Sequence, residues 1–200
     1  MDRFNVERIA NVERINVVGT SGSGKSTLAC RLSELLNLPH VELDRLYWQP
    51  NWTTVSNEEF DSKLRSVTAD PAWILDGNYS RTTPIKWQRV QLVVWVDLPW
   101  LRTVSRVTRR CLRRALTRQE IWPGTGNRES FRRSFLSRES VILWSMTTHR
   151  ENRRKYTELM KCPDYAHVWF VRLCSPREVD SFLHAVQQAA EIQKERAGQQ

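Results

Sequence analysis

The sequence predicts an α/β protein built on a parallel sheet wrapped by helices. Three observations carry this. Short apolar runs alternate with segments of helical period along most of the chain. The first run passes directly into Gly19-Thr20-Ser21-Gly22-Ser23-Gly24-Lys25-Ser26-Thr27, which matches G-x-x-x-x-G-K-[ST], the phosphate-binding loop that joins a strand to a helix. Asp44, Asp76 and Asp97 follow the second, third and fourth apolar runs. That places them on the carboxyl edge of a parallel sheet, where ligands of such sheets bind.

Taken in order, residues 14–18 read as strand one. Residues 25–37 read as a helix, with Leu28, Leu32, Leu35 and Leu36 at helical spacing. Pro39 precedes a short strand over 40–43. Ser56-x-x-Glu59 is a capping box that opens a helix with Phe60, Leu64 and Val67 on one face. Residues 72–75 form strand three, ended by Asp76-Gly77, and 91–96 form strand four, ended by Asp97. Asp97 precedes Leu98-Pro99 and reads as a cap of the next helix, about 99–115, with Leu101, Val104, Val107 and Cys111 turned inward. Residues 117–130 carry Pro123, Gly124 and Gly126 and read as a mobile loop. A helical stretch over about 131–156 and a fifth strand over 167–173 follow. Ser175-Pro176-Arg177-Glu178 is a second capping box with proline at the first helical position. It opens a last helix with Val179, Phe182, Leu183, Val186 and Ala190 on one face.

The length of 200 residues suits one domain with an insertion. We expect that domain over 14–190, an N-terminal extension over 1–13 and a frayed tail over 191–200. The extension holds one copy of a tandem repeat: Asn5-Val6-Glu7-Arg8-Ile9, then Asn11-Val12-Glu13-Arg14-Ile15. Only the second copy runs into the phosphate loop, so the first reads as a duplication without function. No run of eighteen apolar residues predicts a membrane span. The first residues lack the apolar core of a secretory signal. Cys30, Cys111, Cys162 and Cys174 lack metal-ligand spacing, and Cys30 and Cys111 fall on apolar helix faces. Free, buried thiols and a cytoplasmic location are the expectation.

The formal charge of +9 is uneven: residues 102–155 carry +11, almost all arginine, and the rest carries −2. Arginine binds phosphate oxygens bidentately and keeps its charge when desolvated. Such a segment suits polyphosphate at a transfer site and equally suits nucleic acid. A solvated basic face is the bland reading.

Within the loop, glycines let the backbone approach phosphate, and consecutive N–H groups face it at a helix N-terminus. Lys25 would reach the β- and γ-phosphates, and Ser26 would ligate Mg²⁺. Asp76 is the candidate partner for that ion, through water, with a plain Asp-Gly turn as the alternative. Asp44 is the candidate to orient or deprotonate an acceptor hydroxyl, with a helix cap or a partner for Arg45 as the alternative. Among nine tryptophans, Trp73 and Trp95 belong to predicted strands and read as core. Trp48 and Trp52 follow strand two; stacking on a flat acceptor and a small hydrophobic cluster stand as equal readings.

The phosphate loop, Leu43-Asp44-Arg45-Leu46-Tyr47-Trp48, Pro50-Asn51-Trp52, Trp73-Ile74-Leu75-Asp76-Gly77-Asn78-Tyr79 and Ser175-Pro176-Arg177-Glu178-Val179 together resemble the adenylate-kinase-related ATPases labelled DNA topology modulation proteins. The resemblance runs from about residue 14 to 186. Leu75-Asp76-Gly77 is also similar to the Asp-Gly motif of adenylate kinases, which continue with Phe-Pro-Arg. This chain has Asn78-Tyr79-Ser80-Arg81, so its arginine is displaced by one residue and the AMP-site pattern is not reproduced. The resemblance implies a P-loop nucleoside/nucleotide-kinase-like three-layer sandwich. Its five-stranded parallel sheet would have order 2-3-1-4-5, with an arginine-rich helical lid over about 106–154. Such a lid closes on the phosphates and excludes water. Arg106, Arg109, Arg110 and Arg113 share one helix face before the loop; Arg150, Arg153 and Arg154 follow it. Arg110 and Arg150 are the catalytic candidates among them. By analogy with the kinases, Arg177 would stack near the adenine, with a helix-surface arginine as the alternative.

These readings converge on an ATP- and Mg²⁺-dependent kinase that transfers the γ-phosphate to a small acceptor such as a nucleoside or nucleotide. The competing readings are an ATPase or nucleotide-dependent switch acting on a protein or DNA partner, and a nucleotide-gated nucleic-acid binder. The chain has no helix-turn-helix, RNA-recognition or zinc motif to support the last. The lack of an Asn-Lys-x-Asp guanine signature favours ATP. Acceptor selectivity is expected to reside in loops 44–56 and 76–90.

Overall fold

A computed structural model describes residues 4–117, 120–122, 124–128 and 140–197. Five strands, β1 (Arg14–Gly19), β2 (His40–Glu42), β3 (Trp73–Asp76), β4 (Leu92–Val96) and β5 (Trp169–Leu173), form one sheet in the order β2-β3-β1-β4-β5. Every pairing is parallel. The expected topology is therefore present. All residues of β3 and β4 are buried, as helices on both faces of a parallel sheet require.

Alternate side chains enter two separate cores. Ile15 and Val17 of β1, Ile74 of β3 and Val94 of β4 pack with Leu28 and Leu32 of α2 (Lys25–Leu36) and with Phe182 and Val186 of α8 (Pro176–Ala197). Val18, Leu75, Val93 and Trp95 point the other way. They meet Phe60 and Leu64 of α4 (Asn57–Ala69), Trp87, and Tyr156 of α7 (Val141–Leu159). Each such fully buried side chain contributes about 1.5–3 kcal/mol. The remaining helices are α1 (Val6–Ala10), α3 (Leu43–Tyr47), α5 (Thr83–Lys86) and α6 (Trp100–Thr117).

The two capping boxes are formed. Ser56 Oγ accepts the Glu59 N–H at 3.1 Å. Ser175 Oγ accepts the Glu178 N–H at 3.2 Å, while Glu178 Oε2 reaches back to the Cys174 N–H at 2.7 Å. Losing such a cap costs about 1 kcal/mol.

Several expectations need correction. The first repeat copy is not an appendage. It folds as α1, capped by Asn5, and buries Phe4, Ile9 and Ala10 against the core shared with α8. The Phe4 ring just before it meets that of Phe182, with centroids 5.2 Å apart. The last helix does not end near 191 but runs to Ala197, because its final turns hold α1: Gln193 Nε2 donates to the Ala10 carbonyl, and Arg196 pairs with Glu7 at 2.7 Å. Cys30 is exposed, and Cys162 and Cys174 are half-buried; of the four free thiols only Cys111 is buried. Leu101 is 74 % exposed, since the inward stripe of α6 is Thr103, Val107 and Cys111. The start of the helix expected over 131–156 lies outside the described residues; α7 begins at Val141. Among the described residues no helix is long and apolar enough to cross a membrane.

Candidate functional site

The phosphate loop bridges β1 and α2. Gly24 stands at the N-cap of α2 with φ 99°, a left-handed conformation that glycine adopts without strain. It offers no side-chain cap, so the first N–H groups of this twelve-residue helix stay available for an anion. Gly22, at φ 88°, lies under α6: a Cβ there would stand 2.5 Å from the Thr103 carbonyl oxygen and 2.9 Å from Val107 Cβ. The motif is thus fixed by close helix packing as well as by turn geometry.

α6 and α7 both reach the loop. Arg110 Nη2 donates to Ser21 Oγ at 3.1 Å, and Arg106 Nη1 donates to the Ser23 carbonyl at 3.4 Å. From α7, Ser145 Oγ donates to the Ser21 carbonyl at 2.8 Å and Asn152 Nδ2 to Thr20 Oγ1 at 3.3 Å. Arg110 Nε and Ser23 Oγ are buried with no hydrogen-bond partner among the described residues. Unpaired buried donors beside a phosphate loop fit an anionic ligand. Of the two arginines expected to act, the structure brings Arg110 to the loop and leaves Arg150 exposed on α7.

Asp76 ends β3 beside the loop. Burial pushes its carboxyl above the usual value, while the Lys25 ammonium and a hydrogen bond with Ser26 hold it down. Its Oδ1 is buried and unpaired. An orphaned carboxylate oxygen next to the Ser26 hydroxyl fits a Mg²⁺ ion. Among the described residues no cluster of three acidic, His or Cys groups would cage a metal. An ion there would take the rest of its shell from phosphate and water.

Asp44 lies in the first turn of α3, and Tyr79 donates its hydroxyl to Asp44 Oδ1 at 2.7 Å. Burial and the neighbouring Asp44 charge push the Tyr79 phenol well up, so it stays a donor. Tyr79 holds φ 33°, an unusual backbone for a bulky residue. The Asp44 charge also raises the Asp76 carboxyl, so the two carboxylates lie within electrostatic reach of each other.

Beyond Asp44, Arg81 grips both oxygens of Asp61, at 2.8 and 2.7 Å, and holds that carboxyl below its usual range. The arginine displaced from the adenylate-kinase pattern is therefore already occupied. Trp48 and Trp52 meet edge to face at 5.6 Å, and Trp52 meets Trp122 at 6.1 Å. Trp48 and Trp52, for which a small cluster is one of the two expectations, do form one, and Trp122 joins it. Residues 120–122 and 124–128, expected as part of a mobile loop, fold against Glu42, Gln49 and Trp52. Trp122 Nε1 donates to Glu42 Oε2 at 3.3 Å, and buried Asn127 pairs with the Trp52 N–H and the Gln49 carbonyl at 2.8 and 2.9 Å.

Asp97 spends its carboxylate on Arg153 of α7 and Arg172 of β5, each Nε 2.9 Å from Oδ2. Its role is to tie α7 to the sheet, not to cap α6. On the other flank, Arg102, Arg106, Arg109 and Pro176 line an open cleft of about 640 Å³. Arg177 is the next residue and is exposed. The sequence reading missed Asn78, Tyr79, Ser145, Asn152 and Asn127; each acts through a contact distant in sequence.

No family model matches the chain. A Bacillus subtilis (strain 168) protein named uncharacterized protein YqaC is 34% identical over 67 residues, covering 32% of this chain and 38% of that protein. The matched part thus spans well under half of that relative's length. A shikimate kinase from Acinetobacter baumannii, solved in complex with shikimate, superposes with TM-score 0.51 at 16% identity over 95% of this chain and 99% of that one. A shikimate kinase from Bacteroides thetaiotaomicron superposes with TM-score 0.51 at 14% identity over 92% and 99%. The chain has the P-loop kinase fold. None of these names carries the DNA-topology-modulation label.

Proposed function

We propose that the chain is an ATP-dependent kinase that phosphorylates a hydroxyl of a small acceptor, in the cytoplasm. One observation carries the reading. A buried carboxylate with an open oxygen, Asp76, stands beside Lys25 and Ser26 and within electrostatic reach of Asp44, itself held by Tyr79. Phosphate cradle, metal anchor and candidate base therefore share one sheet edge. That proteins of the same fold include shikimate kinases supports it. The ordered motifs support kinship with the adenylate-kinase-related ATPases, and the pairing of Arg81 with Asp61 speaks against AMP as acceptor.

In this reading the N–H groups of 20–25 and the Lys25 ammonium hold the triphosphate. Ser26 and Asp76 would hold Mg²⁺, which would offset negative charge on the phosphates. The acceptor oxygen attacks the γ-phosphorus, the bond to the β,γ-bridging oxygen breaks, and ADP leaves with the electron pair. The acceptor proton passes to Asp44 through its Oδ2, because Oδ1 is engaged by Tyr79. Arg110 stands at Ser21 to meet charge on the transferring group, and Arg150 would join it from α7. The cleft at Arg102, Arg106 and Pro176 would take the adenine, with Arg177 at its rim.

The test is transfer from γ-labelled ATP with Mg²⁺ to a panel of nucleosides, nucleoside monophosphates and hydroxylated metabolites. A labelled product that vanishes in Lys25→Ala supports the kinase. Hydrolysis indifferent to every acceptor overturns it in favour of an ATPase or switch.

A further inference from the structure

We propose that Asn78 is a positioning residue for the nucleotide: its side-chain amide fixes the entry of the phosphate loop by pairing with both backbone polar groups of Gly19, and Tyr156 of α7 in turn holds that amide.

β1 outruns its neighbour. The β1–β3 ladder ends at Val17 opposite Asp76, after which the Gly77 N–H still bonds the Val17 carbonyl at 3.2 Å. Gly19, two residues on, presents its N–H and C=O on the same edge, because strand backbone alternates with a period of two. β3 has ended by then and offers them no partner. Asn78 Oδ1 accepts the Gly19 N–H at 2.9 Å, and Asn78 Nδ2 donates to the Gly19 carbonyl at 3.0 Å. A side-chain amide has the donor and acceptor of a peptide group, so Asn78 replaces the missing strand residue. Few other side chains offer both groups at this reach; an aspartate keeps only the acceptor.

Asn78 is itself held from two sides. Tyr156 donates its hydroxyl to the side-chain Oδ1 at 3.0 Å, and the fully buried Lys86 Nζ donates to the Asn78 main-chain carbonyl. Tyr156 is buried between Trp87 and Trp95, which leaves its ring little freedom. α7 thus governs both ends of the loop segment, through Tyr156 and Asn78 at Gly19 and through Ser145 at Ser21. The inference rests on the nucleotide-binding part of the proposed function, and needs no acceptor to be known. Releasing Gly19 leaves two polar groups to find new partners where the loop begins, and a displaced cradle binds phosphate less well.

The experiment is calorimetric titration of Mg·ADP and of the non-hydrolysable Mg·β,γ-imido-ATP into the wild type, Asn78→Ala, Asn78→Asp and Tyr156→Phe, with thermal unfolding of each nucleotide-free protein alongside. Asn78→Ala is expected to weaken both nucleotides about tenfold, and Tyr156→Phe about threefold. Asn78→Asp should not rescue binding. Affinities within twofold of wild type in folded Asn78→Ala, whatever its melting temperature, would overturn the proposal and leave Asn78 a purely structural residue. If Asn78→Ala does not fold, unchanged affinity in Tyr156→Phe, with the Gly19 amide exchanging no faster by ¹⁵N hydrogen exchange, overturns it instead. A wild type that binds neither nucleotide overturns the functional reading itself, which separates the two failures.

Discussion

The proposed nucleotide side of the cleft is made from contiguous residues, 19–27, whereas the proposed acceptor side gathers Glu42, Asp44, Asp61, Tyr79, Trp122 and Asn127 from distant segments. Glu42 and Trp122 are 80 positions apart in the chain. The difference is one of how geometry is stored. A glycine loop at a helix start carries its shape locally, and helices such as α6 only press on it. The acceptor wall has no local shape of its own. Its form is the sum of side-chain bonds such as Tyr79 to Asp44, Arg81 to Asp61 and Asn127 to Gln49. Damage to the first side should stop every reaction of the protein, while damage to the second should change which acceptor is used and how well.

The largest effect is expected on the nucleotide side. Lys25→Ala should lower phosphoryl transfer about a thousandfold or more, measured with labelled ATP, because the ammonium meets charge that develops during transfer. Asp44→Asn comes next, with kcat falling about a hundredfold and nucleotide affinity by calorimetry unchanged. An equal loss of nucleotide affinity in Asp44→Asn would break the division between the two sides. Asn127→Ala should act more gently. It releases the Trp52 N–H and the Gln49 carbonyl, so the Michaelis constant for the acceptor should rise about tenfold while that for ATP stays put. A rise in the ATP value alone would show that the segment around Asn127 serves the nucleotide side.

The same contrast explains what could be read from the chain. The phosphate loop, the acids closing β3 and β4 and the boxes at Ser56 and Ser175 are local patterns, and each was legible. Residues 43–47 were not, because five residues are too few to separate a strand end from a helical turn. The repeat is the sharpest case. The first Asn-Val-Glu-Arg-Ile is helical, with Asn5 Oδ1 accepting the Arg8 N–H at 2.8 Å and Ile9 buried under α8. The second ends that helix at Asn11, and its Arg14 and Ile15 enter β1 between β3 and β4. One pentapeptide takes two structures because its neighbours differ, which no propensity can express. In the site, Arg110 and Arg150 were equal candidates by composition. Only the crossing of α6 over Gly22 places the first at Ser21. Asn78 belongs to the motif around Asp76-Gly77, but its partner Gly19 is 59 residues away and no spacing signals that bond.

Asp76 lies on the seam between the two sides, and the smallest predicted effect tests it there. Its carboxyl is held above the usual value of 3.8, chiefly by burial. For an acid whose folded value is raised, stability is fully present below the unfolded value and is lost as pH rises through the folded one. In the nucleotide-free protein the fold therefore disfavours the charged form of Asp76. Asp76→Asn removes that charge at nearly constant shape and should raise Tm by about 2–4 °C at pH 7. The gain should shrink as pH falls towards 3.8, where the wild-type carboxyl is also protonated. The same variant should lose most Mg²⁺-dependent transfer, since an amide is a poor partner for the ion. A Tm unchanged at both pH values would mean that the Lys25 ammonium already compensates Asp76 in full. The carboxylate would then belong to the nucleotide side alone. A rise at pH 7 that vanishes in acid marks it as a charge held in reserve for a cation.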